Sequence, residues 1–269
     1  MSFLCSALFG VLLRPRQGLQ LEGIYASPIA GNTGELLMIR MRVFWTSALM
    51  TVSIFGASAD DAPGGRAWNN CQGGAGIWSD LRLSACNDII KSGKFSGPEL
   101  AKAYYYRGNT HLMQNNYSKA VEDYTRSLDL VKSDASALHE RCWARAVLNV
   151  QLEDALSDCN ESLRLKPNDP ETLGGRGYVY LRLGFHRTAI LDYDAALETK
   201  PNTAEYLFGR ATAKLKGGDS EGAEADFAAA RVADPKIDAV FARYDEVSGG
   251  KGFWGAVADY WRAMMKWVY

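Results

Sequence analysis

Apolar positions in the second half of this chain recur at helical spacing, in paired blocks separated by polar turns. In one first block Leu173, Gly177, Tyr180 and Leu181 fall on a single face. The following block carries Ala189, then Asp192 three residues later and Tyr193 four residues later. The same order holds for Ala120, Asp123 and Tyr124, for Ala155, Asp158 and Cys159, and for Ala223, Asp226 and Phe227. Each first block contains an Arg followed by a small residue: Arg107-Gly108, Arg141-Cys142, Arg176-Gly177 and Arg210-Ala211, at intervals of 34, 35 and 34. Turn-prone residues separate the blocks, at Gln114-Asn115-Asn116, Asn149-Val150-Gln151, Gly184 and Gly217-Gly218-Asp219. Pro167, Pro201 and Pro235 close three of the units. A fixed period of this size predicts one supersecondary unit copied and stacked. The expected fold is all-α, an αα-hairpin repeat solenoid with units at 101–134, 135–169, 170–203 and 204–237. The extra residue of the second unit falls near its turn, where an insertion is tolerated best.

Both flanks carry weaker helical patterns. Leu81, Leu83, Ile89 and Ile90 predict a helix from about Asp80 to Ser92. It reads as a degenerate half-repeat over 80–100 that caps the stack, because a terminal unit would otherwise expose its apolar face. Residues 60–79 are rich in Gly and show no period, so they read as a flexible linker. After the last unit, Val240, Phe241 and Tyr244 predict a solvating helix over 238–248 that covers it. Residues 249–269 close the chain with an aromatic amphipathic helix. Its stripe includes Trp254, Trp261, Met264 and Met265. That stripe suits a membrane surface, a partner site, the chain's own groove, or packing on the helix before it.

The front end reads as a targeting segment. Arg40 and Arg42 make a short basic start, Val43 to Phe55 is an uncharged apolar run, and Ala57-Ser58-Ala59 gives small residues before a cleavage point. That order is a signal peptide over 38–59, cut after Ala59. The run is too short to span a hydrocarbon core of ~30 Å as a helix. Residues 1–37 do not fit the scheme and read as an extension or as a start assigned too early. The expected location is periplasmic, with membrane association as the alternative. The full chain carries 30 basic and 31 acidic residues. After cleavage 26 basic and 29 acidic residues remain, and no basic field points to nucleic acid. Cleavage also removes Cys5, leaving Cys71, Cys86, Cys142 and Cys159. An even count in an exported chain allows three pairings, of which Cys71–Cys86 with Cys142–Cys159 is the most local.

Chemistry for catalysis is sparse. His111, His139 and His186 lie in different units without a nucleophile signature, and no metal-ligand spacing or cofactor motif occurs. The Arg and Asp of each unit recur in step: Arg107 with Asp123, Arg141 with Asp158, Arg176 with Asp192, and Arg210 with Asp226. Arginine's planar fork suits bidentate pairing with a carboxylate, so four structural ion pairs between helices are expected.

These residues resemble the tetratricopeptide repeat (TPR), whose unit of 34 residues follows W-x2-L-G-x2-Y, A-x3-F and P. The third unit matches through Leu173, Gly177, Tyr180, Ala189, Tyr193 and Pro201. The second places Cys142 and Cys159 in the small and ring slots, and the fourth has Lys214 in the Tyr slot. The resemblance, closest to exported bacterial members, implies a right-handed superhelix with a concave groove lined by first helices. Carried over slot by slot, it implies a peptide-binding groove at Tyr105, Asn109, Met113, His139, Trp143, Tyr178, Arg182, Phe208 and Thr212. Chaperone-binding members clamp a terminal carboxylate with Lys and Asn. Tyr105 and His139 occupy positions where such a clamp needs Lys. The expected function is a non-enzymatic scaffold that binds a protein or peptide.

Overall fold

The computed structural model describes residues 65–74 and 76–249. The expected signal peptide, residues 1–37 and the aromatic stripe of Trp254, Trp261, Met264 and Met265 lie outside the described residues. Among the described residues there are eleven helices and no strand. Four hairpins form the body. They are α3 (Gly97–Met113) with α4 (Tyr117–Leu130), α5 (Ala135–Leu148) with α6 (Leu152–Leu165), α7 (Pro170–Leu183) with α8 (His186–Thr199), and α9 (Ala204–Lys216) with α10 (Ser220–Ala233). The chain is an αα-hairpin solenoid in which consecutive helices pack on one another. The first helices α3, α5, α7 and α9 also touch in series and make the inner layer.

Local chemistry sets the ends of these helices. The side chains of Asp134, Asp169 and Asp219 accept hydrogen bonds from backbone N–H groups in the first turns of α5, α7 and α10. The hairpin turns close through left-handed residues, Asn115 at φ 59°, Asn149 at φ 56°, Gly184 at φ 83° and Gly218 at φ 92°. In the second unit Gln151 is left-handed as well, so the extra residue is absorbed in the turn and both helix faces keep their register.

One apolar cluster runs through the stack from Tyr117 past Cys142, Cys159 and Tyr193 to Phe227 and Phe241. The repeated Ala120, Ala155, Ala189 and Ala223 are at most 1% exposed, and their small side chains let the helices of each pair approach. Cys142 and Cys159 form a disulfide across α5 and α6 inside this cluster.

The repeated arginines hold the stack together. Arg107 donates through Nε and Nη2 to the two oxygens of Asp123 at 2.8 and 2.6 Å, and through Nη1 to Asn87 of the preceding helix at 2.7 Å. Arg141 pairs with Asp158 in the same way and reaches back to Thr125. Arg176 grips Asp192 and reaches back to Asn160, while Arg210 grips Asp226 and reaches back to Asp194. The back-reaching acceptor always stands two residues after the aspartate slot of the preceding unit. Each arginine therefore ties three helices. Arg145 and Lys214, four residues beyond the repeated arginine, add a second cation to Asp158 and Asp226.

Two regions differ from the sequence expectation. Residues 66–72, inside the expected linker of 60–79, form a short helix α1 (Arg66–Gln72). A disulfide from Cys71 to Cys86 pins it to α2 (Ser79–Lys91), and Trp68 is buried with its ring edge-on to Phe95 at 5.3 Å. A helix of seven residues is too short to show a period, and its order comes from these long-range contacts. The second difference concerns α11 (Ile237–Val247), which was expected to cover the last unit. It contacts α9 and α10 but also reaches back to α5, so it lies across the inner layer.

Arg176→Ala is expected to cost about 2–4 kcal/mol in urea unfolding, because it leaves the buried Asp192 without its two donors. A loss below about 1 kcal/mol would mean that the pair behaves as a solvated surface bridge.

Candidate functional site

Two positions flank the repeated arginine in each first helix of the inner layer. Two residues before the repeated arginine stand Tyr105, His139, Gly174 and Phe208. Two residues after it stand Asn109, Trp143, Tyr178 and Thr212. The helix α11 fills the far half of this layer. Phe241 stacks on Phe208 at 4.4 Å, and Tyr244 meets Trp143 edge-on at 5.4 Å. Tyr178 lies among Trp143, Phe241 and Tyr244 at 5.2, 6.4 and 6.2 Å.

This arrangement changes the groove implied by the repeat. Tyr178, Phe208 and Thr212 are 1%, 3% and 0% exposed. Tyr178 and Phe208 form the seat of α11, and none of the three is open to a ligand in this structure. The Thr212 hydroxyl is spent on the Phe208 carbonyl. The Arg182 side chain is buried beside Asp245 of α11, at 3.6 Å, and donates to Asn149. Asn109 accepts a hydrogen bond from the Tyr124 hydroxyl at 2.7 Å, which fixes it as an inner-layer brace. Met113 lies 65% exposed at the end of α3. Tyr105, His139 and Trp143 remain at the open half and are partly accessible.

Between α11 and the open half a cavity of about 360 Å³ remains. It exists because Gly174 stands where the other units carry Tyr105, His139 and Phe208. A Cβ at Gly174 would come within 2.4 Å of the Tyr206 ring, so the missing side chain lets that ring close one wall. Trp143 and Tyr244 supply further aromatic wall, and Glu140, Glu171 and Glu205 supply carboxylates. A second cavity of about 200 Å³ shares His139, Glu140 and Glu171 with the first.

Glu140 is the unusual group. It makes no hydrogen bond or ion pair with any described residue, and burial alone raises its pKa from 4.5 to about 7. The corresponding positions of the next two units are Gly175 and Gly209. At Gly209 the absent side chain lets Tyr193 approach to 2.4 Å of where a Cβ would stand. The first unit has Tyr106 there, so Glu140 is the one charged residue among the four units at this slot. Burial holds the neighbouring His139 below its usual pKa, so its ring is neutral near pH 7, and its buried Nδ1 has no hydrogen-bond partner. Glu171 differs, because its hydrogen bond from Lys200 keeps its pKa low. Neither Glu140 nor Tyr206 was among the groove positions carried over from the repeat. The signal for Glu140 was present in the sequence as a charged residue where later units place glycine.

Four stacked αα-hairpins with an inner layer of first helices define a helical-repeat scaffold. Residues 101–134 and 175–236 each match a tetratricopeptide repeat family profile, so the chain carries tetratricopeptide repeats over these segments. Among solved structures, the MamA RS-1 ArsTM double mutant is similar at 16% identity and a TM-score of 0.50, over 60% of this chain and 88% of its own. TTC0263, a thermophilic TPR protein in Thermus thermophilus, shares 22% identity at a TM-score of 0.49, over 63% and 90%. YrrB, described as a TPR protein with an unusual peptide-binding site, shares 18% identity at 0.47, over 58% and 78%. No curated protein matches the sequence. At this identity the MamA mutant speaks to the fold alone.

The Glu140 environment sets a pH dependence. The folded state holds this proton up to about pH 7, whereas an ordinary glutamate releases it near 4.5. Between those values the native state binds more protons than the unfolded state, so the Glu140 contribution to stability falls as pH rises through the window. Glu140→Gln is expected to gain on the wild type by about 1–3 kcal/mol between about pH 4 and about pH 8 in urea unfolding. A difference that does not change with pH would place this carboxyl in water.

Proposed function

We propose that this protein is an exported, non-catalytic scaffold of the periplasm that holds a peptide segment in the open half of its concave layer. The observation that carries the reading is the cavity of about 360 Å³ left between α11 and the first helices, lined by Trp143, Tyr206 and Tyr244. Its size falls at the lower end of the range of ~300–1,000 Å³ typical of small-molecule and side-chain sites. Its walls are aromatic with a few polar groups, the composition that gives a site both contact area and orientation. TPR proteins are in general scaffolds for protein partners, and this cavity lies on the layer of first helices that the repeat turns inward.

Export is supported by the order of basic, apolar and small residues over 38–59. The paired cysteines agree with an oxidising compartment, since disulfides in this class persist outside the cytosol.

The test is photocrosslinking in exporting cells, with benzoylphenylalanine at Thr203 on the cavity rim or at Val232, which is 85% exposed on α10. Peptide or protein adducts are expected from position 203 and not from 232. The recovered protein is expected to begin at Asp60. Equal adducts from both positions would remove the cavity from the binding surface, and a mature chain that retains residues before Ala59 would overturn cleavage at that site.

A further inference from the structure

The charge of the cavity is one-sided. Glu140, Glu171 and Glu205 contribute three carboxylates, and Lys200 is the single lysine or arginine among the lining residues. Lys200 is already engaged by Glu171. Glu140 is left without a donor, and Glu205 stands exposed at the rim. Holding an unpaired carboxylate in a partly dry site is costly, and a ligand that brings a positive charge and N–H donors offsets that cost. The aromatic walls favour the same chemistry. The faces of Trp143, Tyr206 and Tyr244 carry negative electrostatic potential and attract a cation placed over them. The neutral ring of His139, whose Nδ1 lacks a partner, adds one more polar contact at the join between the two cavities. The three carboxylates do not form a group placed to hold a metal ion, which leaves an organic cation as the matching occupant.

We propose that the cavity between α5, α7, α9 and α11 receives a basic side chain, Arg or Lys, of a bound peptide. The proposal rests on the peptide-binding reading given above and specifies its ligand. A volume of about 360 Å³ accommodates one such side chain with its adjoining backbone, whereas a helix would not fit beneath α11. The adjoining cavity of about 200 Å³ offers a polar group to the next stretch of backbone at Ser136, which is exposed. This polarity is opposite to that of a clamp built to hold a carboxylate.

The experiment immobilises the full chain and offers it dodecapeptide libraries that fix Arg, Lys, norleucine or Glu at the centre and randomise the other positions. Retained peptides are counted by mass spectrometry, for the wild type and for Glu140→Gln, whose folding is checked by its melting curve. A charge-assisted bond in such a site implies that Arg or Lys is enriched about tenfold or more over norleucine. Glu140→Gln is expected to bring that preference to within about twofold, because the neutral amide offers far weaker attraction to a cation. Retention without a preference for Arg or Lys, or a preference unchanged in Glu140→Gln, would overturn the proposal and leave peptide binding standing. Retention of no library would overturn both. Binding of free agmatine with no peptide retained would assign the cavity to a small amine and also overturn the proposal.

Discussion

The arginine at the centre of each first helix is the constraint on which this structure depends. Its guanidinium makes two parallel bonds to an aspartate on the second helix of its own unit and one bond to a polar group on the second helix of the unit before. Lysine could not make this contact, because a point charge lacks the rigid fork that sets distance and angle together. A pair of helices bonded in this way cannot slide without losing hydrogen bonds in a mostly buried setting. The next unit is placed by the same arginine. Repetition of the arginine, the aspartate and the acceptor two residues beyond it therefore propagates one packing geometry along the chain. The second unit demonstrates the tolerance of the device. Its arginine and aspartate are 17 residues apart where the others are 16 apart, yet the bond lengths are the same. The extra residue is taken up by left-handed backbone at Asn149 and Gln151.

A stack built in this way turns an inner layer of rings toward solvent unless something covers it. Here the cover comes from the chain's own α11, with Phe241 and Tyr244 seated on Phe208, Tyr178 and Trp143. Burying one such side chain contributes roughly 1.5–3 kcal/mol, so the helix stabilises the solenoid while it covers Tyr178 and Phe208 of the inner layer. The remaining opening is shaped by what is absent. Gly174 omits the side chain that the neighbouring units place in the same slot, and Tyr206 advances into the space without filling all of it.

The charge of that opening follows from a second irregularity. Glu140 stands in a slot where the first unit has Tyr106 and the next two have glycine. Placing a carboxylate there sacrifices packing and raises the pKa of the group. The N-terminal side is reinforced separately, by the disulfide from Cys71 to Cys86 and a small apolar cluster around Trp68.

The repeat could be read from sequence because its signals are local. Helical spacing, turn residues and the step from Arg107 to Arg210 are properties of short segments, and they set the four hairpins and the elements near their ends. The aspartate partners of the arginines were also legible, since each recurs 16 or 17 residues after its arginine. What sequence could not supply was the path of α11 and the order of α1. Phe241 and Tyr244 mark an apolar face, but an apolar face does not say which surface will cover it. Only the assembled inner layer decides that α11 turns back to α5, closes Tyr178, Phe208 and Thr212, and leaves Glu140 beside an unfilled space. Short-range periodicity specifies elements. Burial, and the shift in acidity it imposes on Glu140, depends on atoms far away in the chain and exists only once the helices have packed.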